Sequence, residues 1–276
     1  MRSKITGGET TFLFKTKILC KYDVSYYTCN ETGFIQTEEP YWLDEAYSNA
    51  ITKLDVGLVQ RNQNMCKIVD RTLQLYFNAD SVFLDYAGGY GLFTRMMRDK
   101  GFDFYNTDKF CENIFAEYHD LAQLQPNTKF ELVTAFEVLE HLINPIEEIR
   151  LMFEHSDNLL FSTEIVPNKI NAVDDWWYFI PETGQHISLF TIKALEEIAV
   201  DLKKHFYTDG IGVHMFTTNP LPNCPFTNDE NKKEPFLIKK MRRKVNRYDR
   251  ENDIILPQRT SLIDNDWKDA KLKIIL

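Results

Sequence analysis

The chain has 276 residues, 43% of them hydrophobic and 26% charged, with a formal net charge of -9. That length suits one large domain with appendages or two small domains, and an aromatic share of 13% argues against extensive disorder. A balance this acidic excludes a protein that grips nucleic acid along its whole surface, because phosphate binding needs clustered Lys and Arg.

The chain starts MRSKITGGETTF, without the apolar stretch of a secretory signal. No apolar run anywhere approaches the roughly 18 residues needed to span a bilayer. The five cysteines, Cys20, Cys29, Cys66, Cys111 and Cys224, are widely spaced and odd in number, which reads as reduced thiols. A cytoplasmic protein with no membrane partner is the expectation.

Residues 1–50 read as an irregular, aromatic-rich leader. Residues 51–78 read as a helix, with Ile51, Leu54, Leu58, Ile68, Val69, Leu73 and Phe77 at helical spacing. Short apolar strands then alternate with helical stretches. The strands are VFLDY (82–86), FDFYNTD (102–108), FELVTAF (130–136) and NLLFSTEIV (158–166). The helices are Leu92–Lys100, Leu139–Phe153 and Ile192–Lys204. This alternation predicts an α/β fold, a Rossmann-like doubly wound sheet that is mostly parallel. HFYTDG and GVHMFTT add a closing antiparallel hairpin. Residues 51–218 then form the main domain, and 219–276 a proline-punctuated C-terminal extension. In that extension the basic run Lys239–Arg250 reads as a solvated helix face.

The chemistry starts at FLDYAGGYG. A strand ends at Asp85, and Gly88, Gly89 and Gly91 cluster where a helix begins, so a ligand can approach the backbone and meet free N–H groups. Asp85 can accept from a ligand ammonium. The G-x-G-x-x-G dinucleotide fingerprint would place a third small residue at Thr94, which disfavours NAD. Asp108 closes the next strand, where an acid holds ribose hydroxyls in either cofactor class or else serves as a loop carboxylate.

Phe136 and Glu137 stand at the end of the following strand. Glu137, Glu140 and His141 are spaced i, i+3, i+4, which shares one face if the turn is helical. That face suits a divalent metal, or His141 as a general base; the alternative is an acid-rich helix start.

These motifs, in this order over about residues 80–218, resemble the class I S-adenosylmethionine-dependent methyltransferases. FELVTAFEVLEHLINP is similar to the branch with E-V-L-E-H, which includes ubiquinone-pathway, sugar and natural-product O-methyltransferases. The resemblance implies that Asp85, Ala87, Gly88, Gly89, Tyr90 and Gly91 surround the methionine part of the cofactor. Asp108 would hold the ribose, with Phe136 and Glu137 beside it. It also implies that Glu137, Glu140 and His141 can hold a metal. Ala87 departs from the family's usual glycine, and the loop survives if φ there is negative.

The segment DDWWYFIPETGQHISLF carries Trp176, Trp177, Tyr178 and His186. Aromatic faces stack on a sugar or aromatic acceptor, and His186 or His141, with Glu140 nearby, would take the proton of a hydroxyl. The alternative is a loop pinned by buried tryptophans. The leader resembles a zinc-binding segment fused to some methyltransferases, but only Cys20 and Cys29 remain, and Thr32 stands where a C-x-x-C partner would be. It reads instead as a lid with Tyr26, Tyr27, Tyr41 and Trp42 as packing or contact residues. The expected activity is O-methylation of a sugar, nucleotide sugar or glycan. A small aromatic or quinone-like acceptor, an NAD-dependent sugar enzyme and a non-catalytic binding protein are the alternatives.

Overall fold

The structure is a computed structural model, and it describes residues 1–48, 52–226 and 256–275. The basic run Lys239–Arg250 lies outside the described residues. Six strands form the main sheet: β4 (Val82–Tyr86), β5 (Asp103–Thr107), β6 (Leu132–Phe136), β7 (Asn158–Ser162), β9 (His205–Thr208) and β10 (Val213–Thr217). Their spatial order is β5-β4-β6-β7-β10-β9. The first four are parallel, and β10 runs antiparallel to both β7 and β9. The predicted sheet and closing hairpin are therefore both present.

Alternate residues of each strand feed two cores, as the pleat requires. On one face Leu84, Val133, Leu159 and Phe216 pack with Ile149 and Met152 of α4 (Pro145–His155) and Leu195 and Ile198 of α5 (Ile192–Asp201). On the other, Phe83, Phe104, Leu132 and Leu160 meet Val69 and Leu73 of α2 (Leu58–Tyr76) and Phe93 and Met97 of α3 (Leu92–Asp99). Both faces are covered, which is why the parallel strands read as unalternating apolar runs.

The leader departs from its expectation. Instead of being irregular, it folds as β1 (Thr10–Ile18), β2 (Tyr22–Cys29) and β3 (Ile35–Thr37), an antiparallel meander. Its fourth strand is β8 (Ser188–Leu189), lent by the segment after β7, with Ile35 opposite Leu189. Phe14, Val24 and Tyr26 bury against Trp176, Tyr178 and Phe179, and Trp42 Nε1 donates to the Gly184 carbonyl at 2.8 Å. A short helix α1 (Leu43–Ala46) follows. The alternation was interrupted by a register shift between Phe12 and Phe14, which masks the period-two pattern.

Two helix boundaries also moved. α2 begins at Leu58, behind turns at 53–57. α4 begins at Pro145, a residue pre-set for the first helical turn and unsuited to the interior. The extension ends in α6 (Ile263–Ile275), which docks on α3. Arg98, almost fully buried, grips Asp266 bidentately at 2.7 and 2.8 Å, and Arg95 adds a contact at 2.8 Å. Among the described residues, no helix is long and apolar enough to cross a membrane.

Candidate functional site

The carboxyl ends of β4, β5 and β6 open into a cavity of about 1070 Å³. Such ends are where ligands bind in open α/β sheets. Its floor is the glycine loop between β4 and α3. Gly91 sits at φ +80°, and a Cβ at Gly88 would come within 2.2 Å of Asp85 Oδ2 and Asn106 Oδ1. Only glycine fits there. Ala87 is a correction: its φ is +54°, in the left-handed region, so the loop survives with strain and without the negative φ expected.

Asp85 is a lining residue of the cavity, though little exposed. It is buried beneath the loop, where it accepts from Thr134 Oγ1 at 2.8 Å, and burial pushes its carboxyl up to about 7. Asp108 ties the loop down: Oδ2 accepts from the Gly89 N–H at 2.9 Å, and Oδ1 from the N–H groups of Phe110 and Cys111. The acid still lines the cavity beside Gly88, Gly89 and Tyr90. Phe136 packs its ring edgewise on Phe93 and forms the wall above.

Glu137, Glu140 and His141 do not share a helical face, because residues 139–141 form a single 3-10 turn before α4. Glu137 has φ +54°. Its Oε1 accepts from Ser162 Oγ at 2.7 Å and its Oε2 from the Tyr178 hydroxyl at 3.1 Å. Glu140 is fully buried, bonded to the same hydroxyl, and sits well above the usual carboxylate range through burial and the nearby Glu137 charge. The Ile187 N–H donates to the Glu140 carbonyl, which carries His186 to His141. The two rings stand edge to face with centroids 5.0 Å apart.

Both imidazoles have one nitrogen spoken for. His141 Nδ1 lies 3.1 Å from the Gln185 carbonyl, and His186 Nδ1 lies 2.6 Å from the Tyr178 carbonyl. A carbonyl only accepts, so each Nδ1 carries hydrogen and each Nε2 offers a lone pair. Burial holds His141 down to about 4 and His186 down to about 3. Both are neutral at physiological pH. Ligand atoms of Glu140, His141 and His186 lie within 4.8 Å of one another. Histidine pairs with backbone-oriented Nδ1–H groups are the usual arrangement around a metal.

The tryptophans part company. Trp177 is 69% exposed and lines the cavity, as does Tyr178. Trp176 is buried in the core of the leader sheet and does not line it. From the leader, Tyr47 reaches the cavity and stacks on Phe110 with centroids 5.1 Å apart. Of the leader aromatics singled out, Tyr26 and Trp42 are buried, and Tyr41 is exposed away from the cavity.

Sequence reasoning missed Arg61 of α2, which lines the cavity and pairs with Asp55 at 2.8 Å. Nothing in an isolated helix pattern marks one arginine as facing a site. It also missed the charge balance. Asp44, Asp55, Asp85, Asp108, Glu137, Glu147 and Glu148 line the cavity, against one arginine and one lysine among the described residues, Arg61 and Lys109. Lys109 is itself bonded to Glu148 at 3.1 Å.

A family model described as a methyltransferase domain matches residues 59–201. The chain belongs to that methyltransferase family. The match runs from α2 to α5 and takes in the glycine loop, Asp108 and the Glu137–His141 turn, while β1–β3, β9 and β10 lie outside it. No curated protein matches this chain. Among solved structures it is similar to OxaC, at 17% identity and a TM-score of 0.41, over 56% of this chain and 47% of that one. The chain thus spans about half of OxaC's length. It is also similar to a 1,6-didemethyltoxoflavin-N1-methyltransferase from Burkholderia thailandensis (12% identity, TM-score 0.44, 70% of this chain and 94% of that one). The plantazolicin methyltransferase BpumL is a third (9% identity, TM-score 0.42, 64% and 93%).

Proposed function

We propose that this methyltransferase uses S-adenosylmethionine to methylate a hydroxyl of a small-molecule acceptor. The observation that carries the choice of donor is the acidic lining of the cavity, seven Asp and Glu side chains against one arginine and one lysine that are already paired. S-adenosylmethionine brings a sulfonium and an ammonium against a single carboxylate, a net positive charge that such a field attracts; the pyrophosphate of NAD would be repelled. Gly88 and Gly89 give the donor close access to backbone, and Asp108 stands where ribose hydroxyls would lie. Tyr90, Gly91, Phe136 and Glu137 complete the donor side.

Methyl transfer breaks the sulfur–methyl bond and forms an oxygen–methyl bond in line, while the hydroxyl proton goes to a base. His141 or His186, each neutral with a free Nε2 lone pair, is assigned that proton. Glu140 is a positioning group held by Tyr178. Positioning supplies much of the remaining acceleration.

A second reading is favoured by the grouping of Glu140, His141 and His186. These three fit a divalent cation, whose contribution when bound would be to polarise an acceptor oxygen. Glu137, which the family resemblance had suggested as a ligand, is not among the three, and Ser162 and Tyr178 engage its oxygens. The leader, carrying Tyr47 over the cavity, serves as a cap on the acceptor side. A sugar acceptor now rests on Trp177 and Tyr178, since Trp176 is buried away from the cavity.

The test is transfer of labelled methyl from S-adenosylmethionine into small molecules of a cell extract. Wild type should label a discrete product, and the His141→Ala, His186→Ala double variant should lose that labelling. Equal labelling by both proteins, or none by the wild type, would overturn the assignment.

A further inference from the structure

Exposed apolar side chains are not spread evenly over this molecule. Of eighteen large hydrophobic residues with substantial exposure among the described residues, eight line the one cavity described above. Val56 is 93% exposed, Trp177 69%, Phe110 65% and Leu54 56%, and Ile143 adds to the same rim. Water-facing apolar side chains concentrated at a cavity mouth mark a surface that a ligand covers.

The polar groups narrow the occupant further. The histidine pair lies at the cavity wall, where a hydroxyl would have to reach. The two cations of the lining, Arg61 and Lys109, each hold a carboxylate already, so no free cation awaits a phosphate. The volume of about 1070 Å³ lies at the upper end of ligand pockets, which leaves room beyond a nucleoside-sized donor.

We infer that the acceptor is an uncharged hydroxyl compound with an extended apolar body, its hydroxyl at His141 and His186 and its apolar part across Trp177, Leu54 and Val56. The inference rests on the methyltransferase reading of the cavity, and it turns the expectation away from nucleotide sugars, whose phosphates the carboxylate field repels.

The experiment titrates the full chain, saturated with S-adenosylhomocysteine, with phenol, 4-butylphenol and 4-octylphenol, and in parallel with methyl glucoside and UDP-glucose. Each methylene that enters the groove should tighten binding about fourfold until the groove is filled. Val56→Asp should weaken 4-octylphenol more than tenfold, with S-adenosylhomocysteine binding read alongside to report an intact fold. Affinity that does not change along the phenol series would overturn the inference, as would tighter binding of methyl glucoside or UDP-glucose, or an unchanged Val56→Asp. If S-adenosylhomocysteine itself fails to bind, it is the donor reading that falls, and the two failures are told apart.

Discussion

Gly88→Ala is the substitution whose cost the structure specifies most closely. The new Cβ would lie 2.2 Å from both Asp85 Oδ2 and Asn106 Oδ1 and 2.7 Å from Asp85 Cγ. Ordinary contact begins near 3.4 Å, so each oxygen must retreat by more than an ångström. Neither can do so freely. Asp85 and Asn106 are 2% and 1% exposed; Asp85 accepts from Thr134 on the neighbouring strand, and Asn106 donates to the Gly89 carbonyl. Overpacking costs about 1–3 kcal/mol, and a displaced buried hydrogen bond about 1 more, for a total near 3 kcal/mol. For a chain of this size that lowers the melting temperature by roughly 6–12 °C. The same shift moves Gly89 and so the donor cradle, and S-adenosylhomocysteine affinity should fall at least about tenfold, a change of about 1.4 kcal/mol. Scanning calorimetry and a binding titration read both. A variant that melts within about 1 °C of wild type and binds equally well would refute the packing described for the loop.

Four further outcomes follow. At Ala87, held at φ +54°, Ala87→Gly should leave the melting temperature unchanged or raise it, because relief of about 1–2 kcal/mol of left-handed strain offsets the glycine entropy; Ala87→Val should lower it. Single-turnover methyl transfer should fall about 10²–10⁴-fold in whichever of His141→Ala and His186→Ala removes the base, and its rate should hold well below pH 6.5 because burial keeps both rings neutral. The folded pKa of each histidine lies below its unfolded value, so the unfolded chain takes up protons first; stability is full above about 6.5 and declines as pH falls toward 4, which acid unfolding by circular dichroism would show. Asp266→Asn should cost about 2 kcal/mol in thermal unfolding, below the full penalty for breaking a buried pair because Asp103 and the Phe104 carbonyl still hold Arg98; S-adenosylhomocysteine affinity should stay constant.

The central sheet was legible because its strands are buried on both faces, so Val82–Tyr86 and Leu132–Phe136 stand out as apolar runs ending in chemistry-bearing residues. The leader was not. Its sheet is completed by Ser188–Leu189, some 150 residues away, and a bulge breaks its alternation. The position of the glycine loop and Asp108 at the strand ends was legible, but not that Asp108 holds the Gly89 N–H. The E-x-x-E-H spacing put Glu137, Glu140 and His141 on one helical face, which they do not share. It assumed a helix that Pro145 postpones, and the partner His186 arrives through a backbone bond from Ile187 to Glu140 that spacing does not encode. Burial separates Trp176 from Trp177, adjacent residues of one type, and only packing decides which faces water.

The central claim is that an acidic, glycine-floored cavity takes a cationic methyl donor and refuses a dinucleotide. Isothermal titration of the full chain with S-adenosylmethionine, S-adenosylhomocysteine and NAD in the same low-salt buffer tests it directly. One equivalent of S-adenosylmethionine and of S-adenosylhomocysteine should bind with NAD producing no heat of binding; saturable NAD binding, or silence from both adenosyl compounds, would contradict it.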